Sequence, residues 1–81
     1  MSDKKIKDKN TKRLCPCCGN AVFLLPSGSF EICPICFWED DTSQLENEDQ
    51  LGANRVSLAQ ARKNFHKFGV CEKRFEVKRK Q

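Results

Sequence analysis

The cysteines constrain this chain more than any other residue type. Two C-x-x-C pairs, Cys15 with Cys18 and Cys33 with Cys36, are separated by fourteen residues. Structural Zn²⁺ takes four ligands in a tetrahedron, and a tight turn that carries two thiolates supplies half of them. Proline follows the first cysteine of each pair and fixes the backbone φ angle there. We therefore predict one structural Zn²⁺ held by these four cysteines, with iron as the alternative because Cys₄ sites accept both metals.

The size of the chain explains why it needs such a site. Its 81 residues are 38% apolar, so we expect one small domain whose core is too small to fold without cross-links or metal. Residues 1–13 contain no apolar run that resembles a signal peptide. The longest apolar run, residues 21–25, is far shorter than the roughly 18 residues of a membrane helix. We expect a cytoplasmic protein, and since disulfides are rare there, metal binding is favoured over disulfide or redox roles.

A β-hairpin is predicted between the two cysteine pairs. Segments 21–25 and 30–33 are rich in β-forming residues and flank a Pro-Ser-Gly-Ser stretch at 26–29. This hairpin would bring both cysteine turns to the same end. A thioredoxin-like redox protein would instead need a parallel sheet next to its C-x-x-C motif. The chain has no room for that sheet, so this alternative is disfavoured.

A helix is predicted over residues 58–68. Ser57 is a good N-cap, Gln60 completes a capping box, and Gly69 can adopt the left-handed conformation that ends a helix. Four apolar residues share one face and are expected in the core: Leu58, Ala61, Phe65 and Phe68. Residues 70–77 are expected to add a short final strand. The predicted fold class is therefore small α+β: a zinc-ribbon-like β-hairpin with two C-x-x-C knuckles plus one C-terminal helix.

Four residues near the predicted site are assigned packing roles. Spacing leaves Cys17 and Cys71 outside the metal site, and each is expected to pack as a small apolar residue or to remain a free thiol. Phe37 and Trp38 directly follow the second pair. We expect these two aromatic side chains to cover the metal and to start the core.

Charge is arranged in blocks along the sequence. Residues 39–49 carry six acidic side chains and no basic one, whereas both ends of the chain are rich in Lys and Arg. The first three acids, at residues 39–41, have no paired base or nucleophile, so a solvated loop is expected there rather than a catalytic site. His66 lies among basic residues and is expected at the surface. Residues 1–13 are expected to form a disordered basic tail, residues 14–77 the single domain, and residues 78–81 a second basic tail.

These features together resemble the small bacterial proteins of the cysteine-rich CPCC family, named for the run at residues 15–18. The resemblance covers roughly residues 14–75 and rests on ordered blocks: CPCCG at 15–19, FEICPICFWEDD at 30–41, NRVSL at 54–58 and FGVC at 68–71. It implies a zinc-ribbon-like domain and no established activity. The shared pattern also includes Cys17, Trp38, Asp40, Asp41, Asn54 and Cys71.

Three classes of function are compatible with these features. The first is a non-catalytic module in which zinc holds a small platform for a partner protein. The second is a nucleic-acid-binding zinc ribbon, with weak non-specific binding through the basic tails or binding through Arg62, Lys63 and Lys67, although the acidic run would repel phosphate. The third is a thiol-based or hydrolytic enzyme, which would lack an identifiable base or oxyanion group. We expect the first of these and no membrane association.

Overall fold

The computed structural model describes residues 12–77. The predicted tails are residues 1–13 and 78–81. Of these, only residues 12 and 13 are among the described residues. There, Arg13 belongs to the first strand, and its guanidinium pairs with the Asp40 carboxylate at 2.7 Å. Its Nε also donates a hydrogen bond to the carbonyl of Leu25 at 2.7 Å. Arg13 is therefore part of the fold.

Each cysteine pair lies in a turn between two extended segments. Strands β1 (Arg13–Leu14) and β2 (Ala21–Phe23) are antiparallel and enclose the first pair, with an irregularity in their register. The second pair is enclosed by an antiparallel bridge between Ile32 and Glu39. Each knuckle is thus the turn of its own short hairpin.

This pairing differs from the predicted hairpin. Segment 21–25 does not pair with segment 30–33 through a backbone ladder, because β2 is taken up by β1 and the later segment bonds to residues 38–40. The carboxylate of Glu31 links the two segments instead, since it accepts hydrogen bonds from the backbone N–H groups of Leu24 and Leu25. The two knuckles still meet, as the fold class requires.

Two acids of the acidic run do not lie in the solvated loop that we predicted, whereas Glu46, Glu48 and Asp49 are exposed. The side chains of Asp40 and Asp41 are buried, with 1% and 8% of their residue surface exposed. Asp40 is neutralised by Arg13, and Asp41 caps helix α1 (Thr42–Glu46) by accepting a hydrogen bond from the N–H of Ser43 at 2.9 Å. The hydrogen-bond and ion-pair partners of each carboxylate offset the cost of burying it.

The main helix, α2 (Leu58–Phe68), has the predicted bounds. The Ser57 hydroxyl accepts a hydrogen bond from the N–H of Gln60, and Gly69 ends the helix with a φ of 80°. The side chain of Gln60 turns to Asn64 instead of returning to the N-cap, so only half of the capping box forms. On the predicted apolar face, the first two residues are fully buried and the last two half-buried: Leu58, Ala61, Phe65 and Phe68. His66 is exposed, as expected.

The predicted final strand is absent from residues 70–77. A 3₁₀ helix, Lys73–Phe75, takes its place. The segment is anchored at its start, where the N–H of Cys71 donates to the carbonyl of Cys36 at 2.8 Å. Further along, the Phe75 ring packs on the Phe37 ring with centroids 5.5 Å apart. These contacts fold the C-terminal segment over the second knuckle rather than along a sheet edge.

A buried amide completes the second hairpin. Asn54, which is 5% exposed, accepts a hydrogen bond from the N–H of Glu39 and donates one to its carbonyl, both at 2.8 Å. Its Nδ2 also donates to Oε1 of the fully buried Gln44 at 2.9 Å. The side chain of Asn54 therefore satisfies Glu39 in the way that a neighbouring strand would.

Replacing this amide should be costly. Asn54→Ala leaves the N–H and carbonyl of Glu39 without their side-chain partners and removes one of the two hydrogen bonds that the Oε1 of Gln44 accepts, since the other comes from the backbone N–H of residue 54. We therefore expect the free energy of unfolding to fall by about 3 kcal/mol. Asn47→Ala is the matched control, because the Asn47 side chain is exposed and bonds only to Gln50; it should cost less than about 1 kcal/mol. Urea unfolding followed by circular dichroism measures both, and equal losses would refute the strand-like role of Asn54.

Candidate metal centre

Four sulfur atoms meet between the two knuckles. The Sγ atoms of Cys15 and Cys36 are 3.6 Å apart, those of Cys18 and Cys33 are 3.7 Å apart, and all four lie within 4.8 Å of one another. Four thiolates placed tetrahedrally at the usual Zn–S distance would be roughly 3.8 Å apart. The structure thus brings together the four cysteines chosen from spacing, at distances that fit one tetrahedral ion. These four residues could hold a metal ion.

The two knuckles share a backbone geometry that positions their cysteines. In each, the residue four positions after the first cysteine donates its N–H to that cysteine's carbonyl, from Gly19 to Cys15 at 2.8 Å and from Phe37 to Cys33 at 2.9 Å. Both donors are left-handed, with φ angles of 81° and 71°. Glycine adopts this conformation freely, whereas phenylalanine does so only under strain. Phe37 is held there by its packing on the core cluster and on Phe75.

Hydrogen bonds from nitrogen are directed at the sulfurs. The Sγ of Cys33 accepts from the N–H groups of Ile35 and Cys36 at 3.3 and 3.4 Å. The Sγ of Cys18 accepts from Nδ2 of Asn20 at 3.1 Å. At Cys33, the Cys15 contact and the two backbone donors lower the pKa and favour the thiolate, and the thiolate is the form that binds metal.

Four thiols this close cannot all ionise at once without a cation. Their mutual hydrogen bonds separate the pKa values: the contact with Cys33 raises the pKa of Cys15, and the contact with Cys15 raises that of Cys36. The contact with Cys15 lowers the pKa of Cys33, which takes the role of acceptor. A divalent cation would displace the shared protons and allow four thiolates to coexist. The donor set therefore fits a soft metal ion.

The cluster is buried on most sides. Cys15, Cys33 and Cys36 are at most 1% exposed, whereas Cys18 is half-buried. Trp38 is completely buried in the same apolar cluster, and Phe37 packs against its edge. The covering role predicted for both aromatic side chains agrees with this placement. The indole Nε1 of Trp38 has no hydrogen-bond partner within residues 12–77.

Cys17 and Cys71 belong to the apolar core cluster but not to the set of four close sulfurs. They are 7% and 0% exposed, which agrees with the predicted packing role. Burial raises the pKa of the Cys71 thiol to about 12. Cys71 is therefore protonated at neutral pH and has little nucleophilic character.

Arg62 holds α2 against the first knuckle, a role that the sequence did not reveal. Its Nε donates to the carbonyl of Pro16 at 2.9 Å, and its Nη1 pairs with Glu48 at 2.8 Å. The sequence marks Arg62 only as one of three basic residues, with Lys63 and Lys67, that could bind nucleic acid. No local pattern marks a residue whose partner lies 46 positions away.

Two cysteine knuckles, a two-stranded antiparallel ladder, a capped helix and a cluster of four sulfurs define a small metal-binding module of zinc-ribbon-like fold. The chain belongs to the cysteine-rich CPCC family, which it matches over residues 13–81. The resemblance drawn from the sequence is thereby confirmed. No curated protein matches the chain. None of the helices within residues 12–77 is both long enough and apolar enough to cross a membrane.

Proposed function

We propose that this protein is a non-catalytic module in which a single structural Zn²⁺ holds a small platform for binding another protein. The observation that carries the proposal is the set of four mutually close sulfurs, three of them buried: Cys15, Cys18, Cys33 and Cys36. Structural zinc sites are closed by four protein ligands, whereas catalytic zinc keeps one position for water or substrate. Four thiolates leave no such position.

Exposed apolar side chains support the platform role. Leu14, Leu24, Phe30 and Ile32 are each more than half exposed, at 64%, 63%, 52% and 59%. All four lie in the segments that lead into or out of the two knuckles. Apolar side chains left exposed on a small domain are available for contact with a partner protein. A metal that fixes the knuckles would also hold the segments that carry these side chains.

The groups that would support an enzyme are engaged in structural contacts. Asp40 is paired with Arg13, and Asp41 caps α1 and accepts a further hydrogen bond from the N–H of Ala53. Cys71 is buried with a raised pKa. These observations favour a binding function over a thiol-based or hydrolytic one.

Metal analysis tests the zinc proposal directly. Elemental analysis of the purified protein is expected to give one zinc per chain, and X-ray absorption should report four sulfur neighbours. Stoichiometric iron with the red colour of an iron–thiolate centre would replace zinc in the proposal. A protein that is folded and free of metal would overturn it.

Nucleic-acid binding is the competing function, and salt separates the two. The Arg62 side chain is bound to the carbonyl of Pro16 and to Glu48. Of the three basic residues proposed to contact nucleic acid, Lys63 and Lys67 therefore remain available for phosphate. At about 0.15 M salt we expect the full chain to bind labelled RNA or DNA more weakly than about 10 µM by fluorescence anisotropy, since few phosphates can be neutralised. The double reversal of Lys63→Glu and Lys67→Glu should change this little.

Removal of residues 1–12 is the control for binding through the basic N-terminal segment. If the full chain binds RNA or DNA at low salt, this binding should largely disappear when residues 1–12 are removed. Micromolar or tighter binding that survives this deletion and is lost in the double reversal would replace the protein-binding proposal with the nucleic-acid one.

A further inference from the structure

The backbone of Ile32 forms an open edge beside the second knuckle. In the bridge to Glu39, the flanking bonds run from Cys33 N–H to the Trp38 carbonyl at 2.9 Å and from Asp40 N–H to the Glu31 carbonyl at 2.9 Å. In an antiparallel pair this pattern turns the N–H and carbonyl of the bridging residue outward. For Ile32 they make no hydrogen bond within residues 12–77. On the opposite side, the corresponding groups of Glu39 are already satisfied by Asn54.

A cavity of about 100 Å³ adjoins this edge. Apolar side chains form much of its wall, with polar groups at Glu39, Asn54, Glu72 and Arg74; the apolar ones include Ile32, Phe37 and Phe75. An engineered cavity of about 150 Å³ holds one benzene molecule. The cavity beside Ile32 can therefore receive the end of one side chain.

The charge of the cavity is negative. Glu72 and Arg74 neutralise each other through two hydrogen bonds at 2.8 and 3.3 Å. Glu39 is half-buried and also lines the cavity, its side chain lies on the same face of the bridge as that of Ile32, and no side chain within residues 12–77 pairs with its carboxylate. An entering acidic group would be repelled by Glu39, and an apolar group would bury that carboxylate without compensation. A long basic side chain satisfies both features, because its stem packs on Phe37 and Ile32 while its cation reaches Glu39.

We propose that the open edge at Ile32 and the cavity beside it bind an extended segment of a partner protein, with one lysine or arginine side chain of that segment in the cavity. This inference rests on the proposed protein-binding function and names the chemistry of its partner. A residue that pairs with the outward groups of Ile32 projects its side chain to the same face of the ladder as Ile32. That face is the one that lines the cavity, so main-chain pairing and side-chain entry are compatible in one register.

The test uses the full-length, zinc-loaded chain labelled with ¹⁵N and a synthetic peptide, acetyl-Thr-Val-Lys-Val-Thr-amide. We expect saturable shifts in the amide spectrum at Ile32, Phe37 and Glu39 and at the side-chain amide of Asn54. Replacing the central lysine by glutamate should weaken binding by at least about tenfold, because a charge-assisted pair becomes a repulsive one. Arginine at the centre should bind comparably to lysine.

Two further comparisons distinguish the contribution of the ion pair with Glu39 from that of the backbone hydrogen bonds to Ile32. Glu39→Gln should remove the preference for lysine over norleucine at the peptide centre. Glu46→Gln is the matched control, because Glu46 is an exposed acid on α1, and it should preserve that preference. A peptide with N-methylated central lysine lacks the N–H that pairs with the carbonyl of Ile32, so it should bind at least about fivefold more weakly.

Several results would overturn the proposal. Absence of saturable shifts in a protein that retains one zinc per chain would reject the edge while leaving the proposed function standing. Equal binding of the lysine and glutamate peptides, or shifts confined to other residues, would also reject it. If the same resonances move with protein concentration alone, a second copy occupies the edge instead. If deletion of residues 78–81 tightens peptide binding about tenfold, the chain's own basic segment occupies it.

Discussion

Complete removal of the metal at neutral pH is expected to unfold the domain. The secondary structure is small, with strands of two and three residues and one helix of eleven, and the core is built around the cysteine cluster itself. Structural zinc supplies about 10–16 kcal/mol of apparent binding free energy in small metal-dependent domains. This contribution is as large as the whole stability of a typical folded protein, about 5–15 kcal/mol, so its loss should abolish folding. Far-UV circular dichroism after chelation would show loss of the α2 signal.

Trp38 provides an independent readout of the same transition. It is completely buried next to the cluster, so unfolding should shift its fluorescence to longer wavelength as the indole meets water. Restoring one equivalent of Zn²⁺ should recover both signals, which distinguishes metal loss from irreversible damage. A native-like spectrum after verified removal of all metal would contradict the prediction.

Serine at any of the four clustered cysteines should abolish tight metal binding. Each replacement removes one thiolate and leaves a site with three sulfur ligands; the four variants are Cys15→Ser, Cys18→Ser, Cys33→Ser and Cys36→Ser. We expect each to reduce zinc affinity by several orders of magnitude, because a serine hydroxyl is a much weaker ligand for Zn²⁺ than the thiolate it replaces. Competition with a chromophoric chelator measures the affinity, and circular dichroism reports the accompanying loss of structure.

Cys17→Ser and Cys71→Ser are the matched controls. Both residues are buried cysteines beside the cluster, so a buried hydroxyl should lower stability by about 1–3 kcal/mol. Zinc stoichiometry should nevertheless stay at one. The contrast within the first knuckle is decisive: loss of zinc from Cys17→Ser with retention in Cys18→Ser would mean that the ligand assignment in this knuckle is wrong.

The parts of the molecule that follow from local rules could be predicted from the sequence. The spacing of Cys15 and Cys18 selects a knuckle without reference to the rest of the chain. The bounds of α2 follow from Ser57 and Gly69, since each acts through hydrogen bonds within one helical turn. The buried face of the helix follows from its periodicity. For these elements the sequence carried enough local information.

The parts that depend on distant partners could not be predicted. Asp40 looked like a surface acid because its cation, Arg13, lies 27 positions away in a segment that charge composition assigned to a tail. The side-chain amide of Asn54 hydrogen-bonds to the backbone of Glu39, which lies 15 positions earlier in the sequence. In both cases the polar group is buried because of a partner that no local pattern identifies. The cap that Asp41 forms on α1 was missed for a different reason, since Asp before Thr-Ser is a recognisable local helix start that we did not use.

The strand prediction failed for a related reason. Propensity located strand structure at Ala21–Phe23 and at the bridge residue Ile32, but it overestimated both lengths, since Phe30 is left-handed with a φ of 64°. It also could not choose the partners, because β-propensity measures packing more than pairing. The left-handed conformation of Phe37 was also unexpected, since the equivalent position in the first knuckle is Gly19. Its cause is tertiary: the ring must reach Phe75 over the second knuckle.

The amide of Asn54 has a consequence for how copies of this protein can associate. A short β-ladder with two open sides can polymerise without limit, since each added strand exposes a new edge. In the second hairpin, Asn54 occupies the side of Glu39, so further strands can join only at Ile32. Two copies that pair through their Ile32 sides form a closed pair, because the outer side of each ladder is already occupied by Asn54. This ladder can therefore take up one strand while being unable to nucleate a fibre through both of its sides.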